Sequence, residues 1–264
     1  KPFFLYFPLP APHKPIIPTS KYQGKSGLNE WGDFVMQVDW TVGQVIKALE
    51  RKNLAENTLL IVTSDNGATP GADFAALKKK GHNPSQRLRG NKADIFEGGH
   101  RVAFVARWPA VIKPKTDCAA TICHTDLLAT AAEITGFEIP ANAGEDSVSI
   151  LPLLKQSRDE VREATVHHSI NGSFAIRQGK WKLVLCPGSG GWSAPRPPQA
   201  RQQKLPATQL FDLAADLGEK KNLAAEHPDV VRRLTTLLQR YADQGRSTPG
   251  PKQKNDSTVR IVKK

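Results

Sequence analysis

At 264 residues, with 39% hydrophobic and 23% charged side chains, the chain can bury a sizeable core as one large unit or two unequal ones, and its composition argues against a disordered chain. No uninterrupted apolar run approaches the ~20 residues that a membrane-spanning helix needs. The net charge of +12 suits an anionic partner, but no helix-turn-helix, RNP-like or zinc-finger pattern accompanies it, so nucleic acid is not expected and a solvated basic surface accounts for the charge.

In chain order, Phe3–Phe7 reads as a buried strand already under way and not as a signal peptide, which implies a natural chain beginning upstream. A helix follows over Asn29–Lys52, where Phe34, Val38, Val42, Val45, Ile46 and Leu49 recur at spacings of three and four and make one apolar face. The run Thr58–Ser64 has no polar alternation and is expected as a central strand covered on both sides. A long polar segment leads to an extended run over Arg101–Arg107 and a helix over Thr125–Thr135. Such alternation predicts an α/β layer whose mixed sheet is mostly parallel and flanked by helices.

Phe137–Asp146, with Pro140 and Gly144, reads as a linker. Beyond it the pattern changes to short runs, Thr165–Ile170, Phe174–Arg177, Trp181–Leu185 and Gln209–Leu213, which predict a small antiparallel sheet. Gly188–Gln203 reads as a loop, and a closing helix spans His227–Ala242 with Pro228 in its first turn. The expected organisation is therefore a large unit over 1–145, a small one over 146–245, and a disordered basic tail over 246–264. Cys118, Cys123 and Cys186 form an odd set without CxxC spacing, which indicates neither a zinc site nor a full disulfide framework.

Three loops after strand-like runs carry polar groups suited to chemistry. Thr58–Ser64 runs straight into Asp65-Asn66-Gly67, placing a carboxylate and a carboxamide at a strand's carboxyl end, and both offer the hard oxygen that calcium or magnesium prefers. Taken alone, Asp-Asn-Gly reads as a turn sooner than as a metal site, because Asn-Gly and Asp-Asn are favoured turn dipeptides for backbone reasons. The run from Leu88 to Val102 combines glycines, which allow close backbone approach, with fixed cations that can grip a tetrahedral anion while Glu97 holds one of them. Near the start, prolines on either side of His13 restrict its direction, as a proton donor requires.

Together His13-Lys14-Pro15, Thr63-Ser64-Asp65-Asn66-Gly67 and Leu88-Arg89-Gly90-x-Lys92 leading to Glu97-Gly98-Gly99-x-Arg101 resemble the arylsulfatase family of the alkaline phosphatase superfamily. The resemblance continues through Arg107-Trp108-Pro109, Thr125-Asp126-Leu127-Leu128, Gly179-Lys180-Trp181-Lys182-Leu183 and Gln209-Leu210-Phe211-Asp212-Leu213, and into Glu219-x-x-Asn222-Leu223-Ala224. It implies a sulfuric ester hydrolase. By the same resemblance Asp65 and Asn66 are metal ligands, for calcium before magnesium, and His13 and Lys92 are catalytic, contacting the sulfate and helping to protonate the leaving oxygen. His82 stands where related sequences often carry a substrate-facing His, and Arg89, Glu97 and Arg101 are expected to brace the loop.

The family also implies a formylglycine nucleophile from a Cys/Ser-x-Pro-x-Arg motif. None of the three cysteines stands in such a motif, since Cys186 is followed directly by Pro187, so the nucleophile is expected on upstream sequence and the chain is expected to be a C-terminal part, inactive alone. The implied partner is a sulfated small molecule or sulfated glycan, and the implied location periplasmic or extracellular. Two alternatives remain open at this level: a phosphodiesterase or phosphonate hydrolase of the same superfamily, and a non-catalytic protein that binds sulfated glycans.

Overall fold

A computed structural model describes residues 1–262. Its elements are α1 (Glu30–Arg51), β1 (Leu60–Thr63), a 3₁₀ turn (Pro70–Ala72), α2 (Phe74–Lys79), α3 (Glu97–His100), β2 (Phe104–Arg107), α4 (Asp126–Thr135), α5 (Leu151–Leu154), β3 (Thr165–His168), β4 (Phe174–Gln178), β5 (Trp181–Val184), α6 (Pro197–Gln202), β6 (Gln209–Asp212) and α7 (Pro228–Gln244). No helix among the described residues is long and apolar enough to cross a membrane.

Local chemistry explains where α1 begins. The Asn29 side chain accepts from the Gly32 amide at 3.2 Å, and Glu30 and Asp33 place negative charge on the first turn. Asp33 also accepts from the amides of Gly24 and Ser26 at 2.7 and 2.8 Å, tying the preceding loop to the helix. Those bonds hold the Asp33 carboxyl below its ordinary range, although its burial works the other way.

Among the described residues two sheets form, one of β1 and β2, the other in the order β3-β4-β5-β6. The small sheet follows the expectation of short antiparallel strands, with Ile176 opposite Leu183 and Leu183 opposite Leu210. Its residues alternate strictly between two cores. Ile176, Leu183 and Leu210 face α7, packing on Leu234, Leu237 and Leu238, while Ala175, Val184 and Phe211 face Ile95 and Phe96. The segment just before α3 is thus laid on the sheet face opposite α7.

Two expectations are corrected. The mostly parallel sheet is not what the described residues form: β1 pairs with β2 in antiparallel register, Leu60 opposite Arg107 and Thr63 opposite Phe104, and β1 is half-buried rather than covered on both faces. Phe3–Phe7 is no strand, and its side chains are exposed, Phe4 at 88%. An extended apolar run becomes a strand only against an edge that completes its backbone hydrogen bonds, and no described strand lies beside it. Of the tail expected over 246–264, residues 263–264 lie outside the described residues; Arg246 donates to the carbonyls of Ala141 and Pro251, each at 3.1 Å, and Ile261 is buried beside Tyr241 in the α7 core.

Candidate active site

The polypeptide leaves β1 through Ser64, Asp65, Asn66 and Gly67. Ser64 Oγ donates to the Asn66 carbonyl at 3.0 Å, and Asn66 Nδ2 donates to the Gly67 carbonyl at 3.0 Å, fixing a tight turn. The Asn66 Oδ1 and the exposed Asp65 carboxylate receive no hydrogen bond from any described residue, so adjacent positions present uncommitted hard oxygens. That donor set fits a calcium ion as part of a shell of six to eight oxygens. Among the described residues no group of three or more His, Cys, Asp or Glu gathers to complete it. Thr63, two residues earlier, donates to the Ala103 carbonyl at 2.8 Å, which leaves its oxygen to accept from His124 Nε2 at 3.0 Å.

The glycines beside this turn are there for contact. The Gly67 amide donates to the Gly99 carbonyl at 3.0 Å, and a Cβ on Gly67 would lie 1.8 Å from the Gly98 carbonyl oxygen. Gly98 in turn meets Gly90, its own added Cβ falling 2.4 Å from that carbonyl oxygen. The Lys92 amide donates to the Ala68 carbonyl at 2.8 Å. Backbone contacts thus join the Asp65–Asn66 turn, the Gly90–Lys92 loop and α3 into one body, with Lys92 half-buried at the strand end.

Asp94 closes the loop from the other side. Its Oδ1 accepts from the amides of Trp192 and Ser193 at 2.7 and 3.0 Å, and its Oδ2 from the Asn91 amide at 2.8 Å and from the Ser193 hydroxyl. Gly191 must lack a side chain here, because a Cβ would fall 2.4 Å from the Ala93 carbonyl oxygen.

His13 is exposed, and its Nδ1 donates to the Lys14 carbonyl at 2.8 Å, leaving Nε2 free. The adjacent Lys14 side chain lies on Gly71, within 2.6 Å of where a Cβ would be, so the His13–Pro15 segment borders the loop that follows Asn66. His82 is half-buried, with its ring 6.3 Å from that of Trp31 in α1.

Glu97 opens α3 almost fully buried and forms the hub of an ion cluster. Lys182 of β5, also fully buried, reaches Glu97 at 3.0 Å, and it approaches Glu219 at 2.8 Å in an ion-pair contact outside hydrogen-bond geometry. Arg101 and Arg177 lie 3.4 and 3.5 Å from Glu97. Glu219 accepts from the Glu97 amide at 2.7 Å, capping α3, while Arg89 donates to the Glu219 carbonyl at 2.6 Å and covers the Phe96 ring. Burial would raise the Glu97 carboxyl, but Lys182 and Arg177 carry it below its ordinary value; for Glu219 burial wins over Lys182 and the carboxyl is raised. His100 Nε2 sits 3.1 Å from the Lys182 ammonium and must be the acceptor, so its ring is neutral, and His167 stacks on it at 3.7 Å.

Lys182, Glu219, His100 and His167 were not singled out as site residues by sequence reasoning. Lys182 alternates with apolar Trp181 and Leu183, a pattern that reads as a strand face open to water, and its partner Glu97 is 85 residues away. The only available signal was that Lys182 and Glu219 both belong to the family-like motifs.

A family model described as Sulfatase matches residues 1–137. The chain is 36% identical over 245 residues to the N-acetylgalactosamine-6-O-sulfatase of Bacteroides thetaiotaomicron, a match covering 90% of this chain and 47% of that protein. It is 29% identical over 278 residues to the N-acetylgalactosamine-6-sulfatase of Sus scrofa, covering 96% of this chain and 50% of the relative. A solved structure of a Bacteroides thetaiotaomicron protein, described with the metabolism of multiple glycosaminoglycans, superposes with a TM-score of 0.81 at 35% identity, covering 91% of this chain and 50% of that one. The chain spans about half the length of the curated relatives it matches.

Proposed function

The chain belongs to the sulfatase family, and from that premise we propose that it supplies the metal-binding and cation-bearing part of an active site that hydrolyses sulfate esters of glycans. The observation that carries this reading is the joining of the Asp65–Asn66 turn to the Gly90–Lys92 loop through Gly67, Gly98 and Gly99. Residues 1–145 would form the catalytic α/β part and 146–245 a small α+β unit that backs it. The first substrate class to test is a 6-sulfated N-acetylgalactosamine, from the names of the relatives.

Asp65 and Asn66 would hold a calcium ion through their uncommitted oxygens. When bound, that ion draws charge from the sulfate oxygens and lowers the barrier to attack at sulfur. Lys92 offsets charge growing on the sulfate and on the departing oxygen, and His13, whose Nε2 is free, delivers a proton to that oxygen. His82 contacts the sugar at the rim. Arg89, Glu97 and Arg101 act at one remove by keeping the loop on the small sheet. The nucleophile, a formylglycine from a Cys/Ser-x-Pro-x-Arg motif, is assigned to sequence outside this chain.

The test uses the full-length protein with an aryl sulfate and with 6-sulfated N-acetylgalactosamine. Turnover should vanish on chelation, return with calcium, and be lost in Asp65→Ala with the folded state retained. Turnover indifferent to chelation and to Asp65→Ala would remove the metal assignment.

A further inference from the structure

Lys182 is a fully buried ammonium far in sequence from the site, and it touches neither the metal-ligand pair nor Lys92. A buried charge carries a desolvation cost that an apolar side chain of similar size avoids, so packing alone does not explain a lysine here. Its two partners do. Glu97 is the first residue of α3, and Glu219 caps that same residue's amide, so Lys182 draws together the carboxylates that define where α3 begins. The next two residues, Gly98 and Gly99, are the ones against which Gly67 rests.

We propose that Lys182 is a positioning residue for the site: by holding Glu97 and Glu219 together it seats Gly98 and Gly99 under Gly67, and so sets the relative placement of Asp65, Asn66 and Lys92. The small sheet is then part of the catalytic geometry and not an appendage. The coupling between α3 and the two loops is steric. Gly98 fills the space between the Gly67 position and the Gly90 carbonyl without room for one added carbon, so a shift of α3 must be passed to both loops. The Ile95–Phe96 contact with Val184 and Phe211 keeps the loop on the sheet, but apolar contacts tolerate sliding, whereas the ion pairs fix the register. The consequence for catalysis rests on the function proposed above; the consequence for geometry does not.

The experiment is residue-resolved amide exchange on the full-length protein, comparing the parent with Lys182→Met and with the double variant Lys182→Met/Glu219→Gln, which removes the excess buried negative charge and keeps an oxygen to accept from the Glu97 amide. The Gly67 and Lys92 amides should exchange about tenfold faster in both variants, while the amides of the β4–β5 ladder keep their protection. In a parent shown to be active, kcat should fall together with the apparent calcium affinity, and KM for the sulfate ester should change less. Unchanged exchange at Gly67 and Lys92 in a folded variant would overturn the inference. So would faster exchange across the whole β3–β6 sheet, which marks Lys182 as a stability element only, and so would full recovery in the double variant. A parent without sulfatase activity would instead count against the functional reading, leaving the exchange result to stand or fall by itself.

Discussion

Gly67→Ala is the most economical perturbation of the site, because it adds one carbon at the junction of both loops. The added Cβ would sit 1.8 Å from the Gly98 carbonyl oxygen, where real Cβ atoms keep about 3.0 Å, so backbone must part by more than 1 Å. Overpacking of this kind costs about 1–3 kcal/mol. The Gly67 amide bond to the Gly99 carbonyl, 3.0 Å long, is lost in the same movement and adds about 1 kcal/mol. The expected total is roughly 2–4 kcal/mol, measured as the loss in unfolding free energy by urea titration of the full-length protein. Gly43→Ala is the control: it lies within α1 with nothing near its added Cβ, so helix propensity should leave stability unchanged or raise it by about 0.5–1 kcal/mol. In calorimetry, calcium affinity should weaken for Gly67→Ala and not for Gly43→Ala. Equal stability and equal calcium affinity for the two variants would refute the claim that the Asp65–Asn66 turn is held by close backbone contact.

The ion cluster makes stability depend on pH. Burial, then the charge of Lys182, holds His100 well below its ordinary value of 6.5, and burial, then His100, does the same for His167. Both rings stay neutral in the folded protein while the unfolded chain takes up protons below about 6.5, so stability should decline as pH is lowered from about 6.5. Depressed Glu97 adds loss in the same direction as pH falls below its ordinary 4.5, while raised Glu219 works the other way, offsetting part of the decline as it takes up its proton. Urea midpoints that rise on acidification from pH ~7.5 to ~5 would contradict the neutral assignment. Lys92→Ala should lower kcat/KM more for esters with poor leaving groups than for activated aryl sulfates, read as a steeper dependence of log kcat/KM on leaving-group pKa. A parallel shift for all leaving groups would confine Lys92 to sulfate binding.

Local patterns made much of the molecule legible. Apolar residues at spacings of three and four marked α1, and the short runs Phe174–Arg177 and Trp181–Leu185 marked two strands of the small sheet. The Asp65–Gly67 turn and the glycines of the Lys92 loop were visible as residue types, because close backbone approach demands glycine itself. Pairing was not visible: an apolar run such as Phe3–Phe7 carries no information about whether an edge lies beside it, and the direction of β1 against β2 is set by the path of the intervening loop. Burial of Lys182 was hidden for a related reason. Its partners are Glu97 and Glu219, and only the folded backbone brings the three together.

We propose that Asp65, Asn66, Lys92 and His13 serve one site for a divalent cation and a sulfate ester. The most direct test is a crystal structure of the full-length protein with calcium and a sulfated N-acetylgalactosamine, with the metal located by anomalous scattering. A single peak is expected with Asp65 and Asn66 oxygens at roughly 2.3–2.6 Å, the sulfate against it, and Lys92 Nζ and His13 Nε2 within hydrogen-bond reach of the ester. A metal peak away from Asp65 and Asn66, or a sulfate bound out of reach of Lys92, would contradict it.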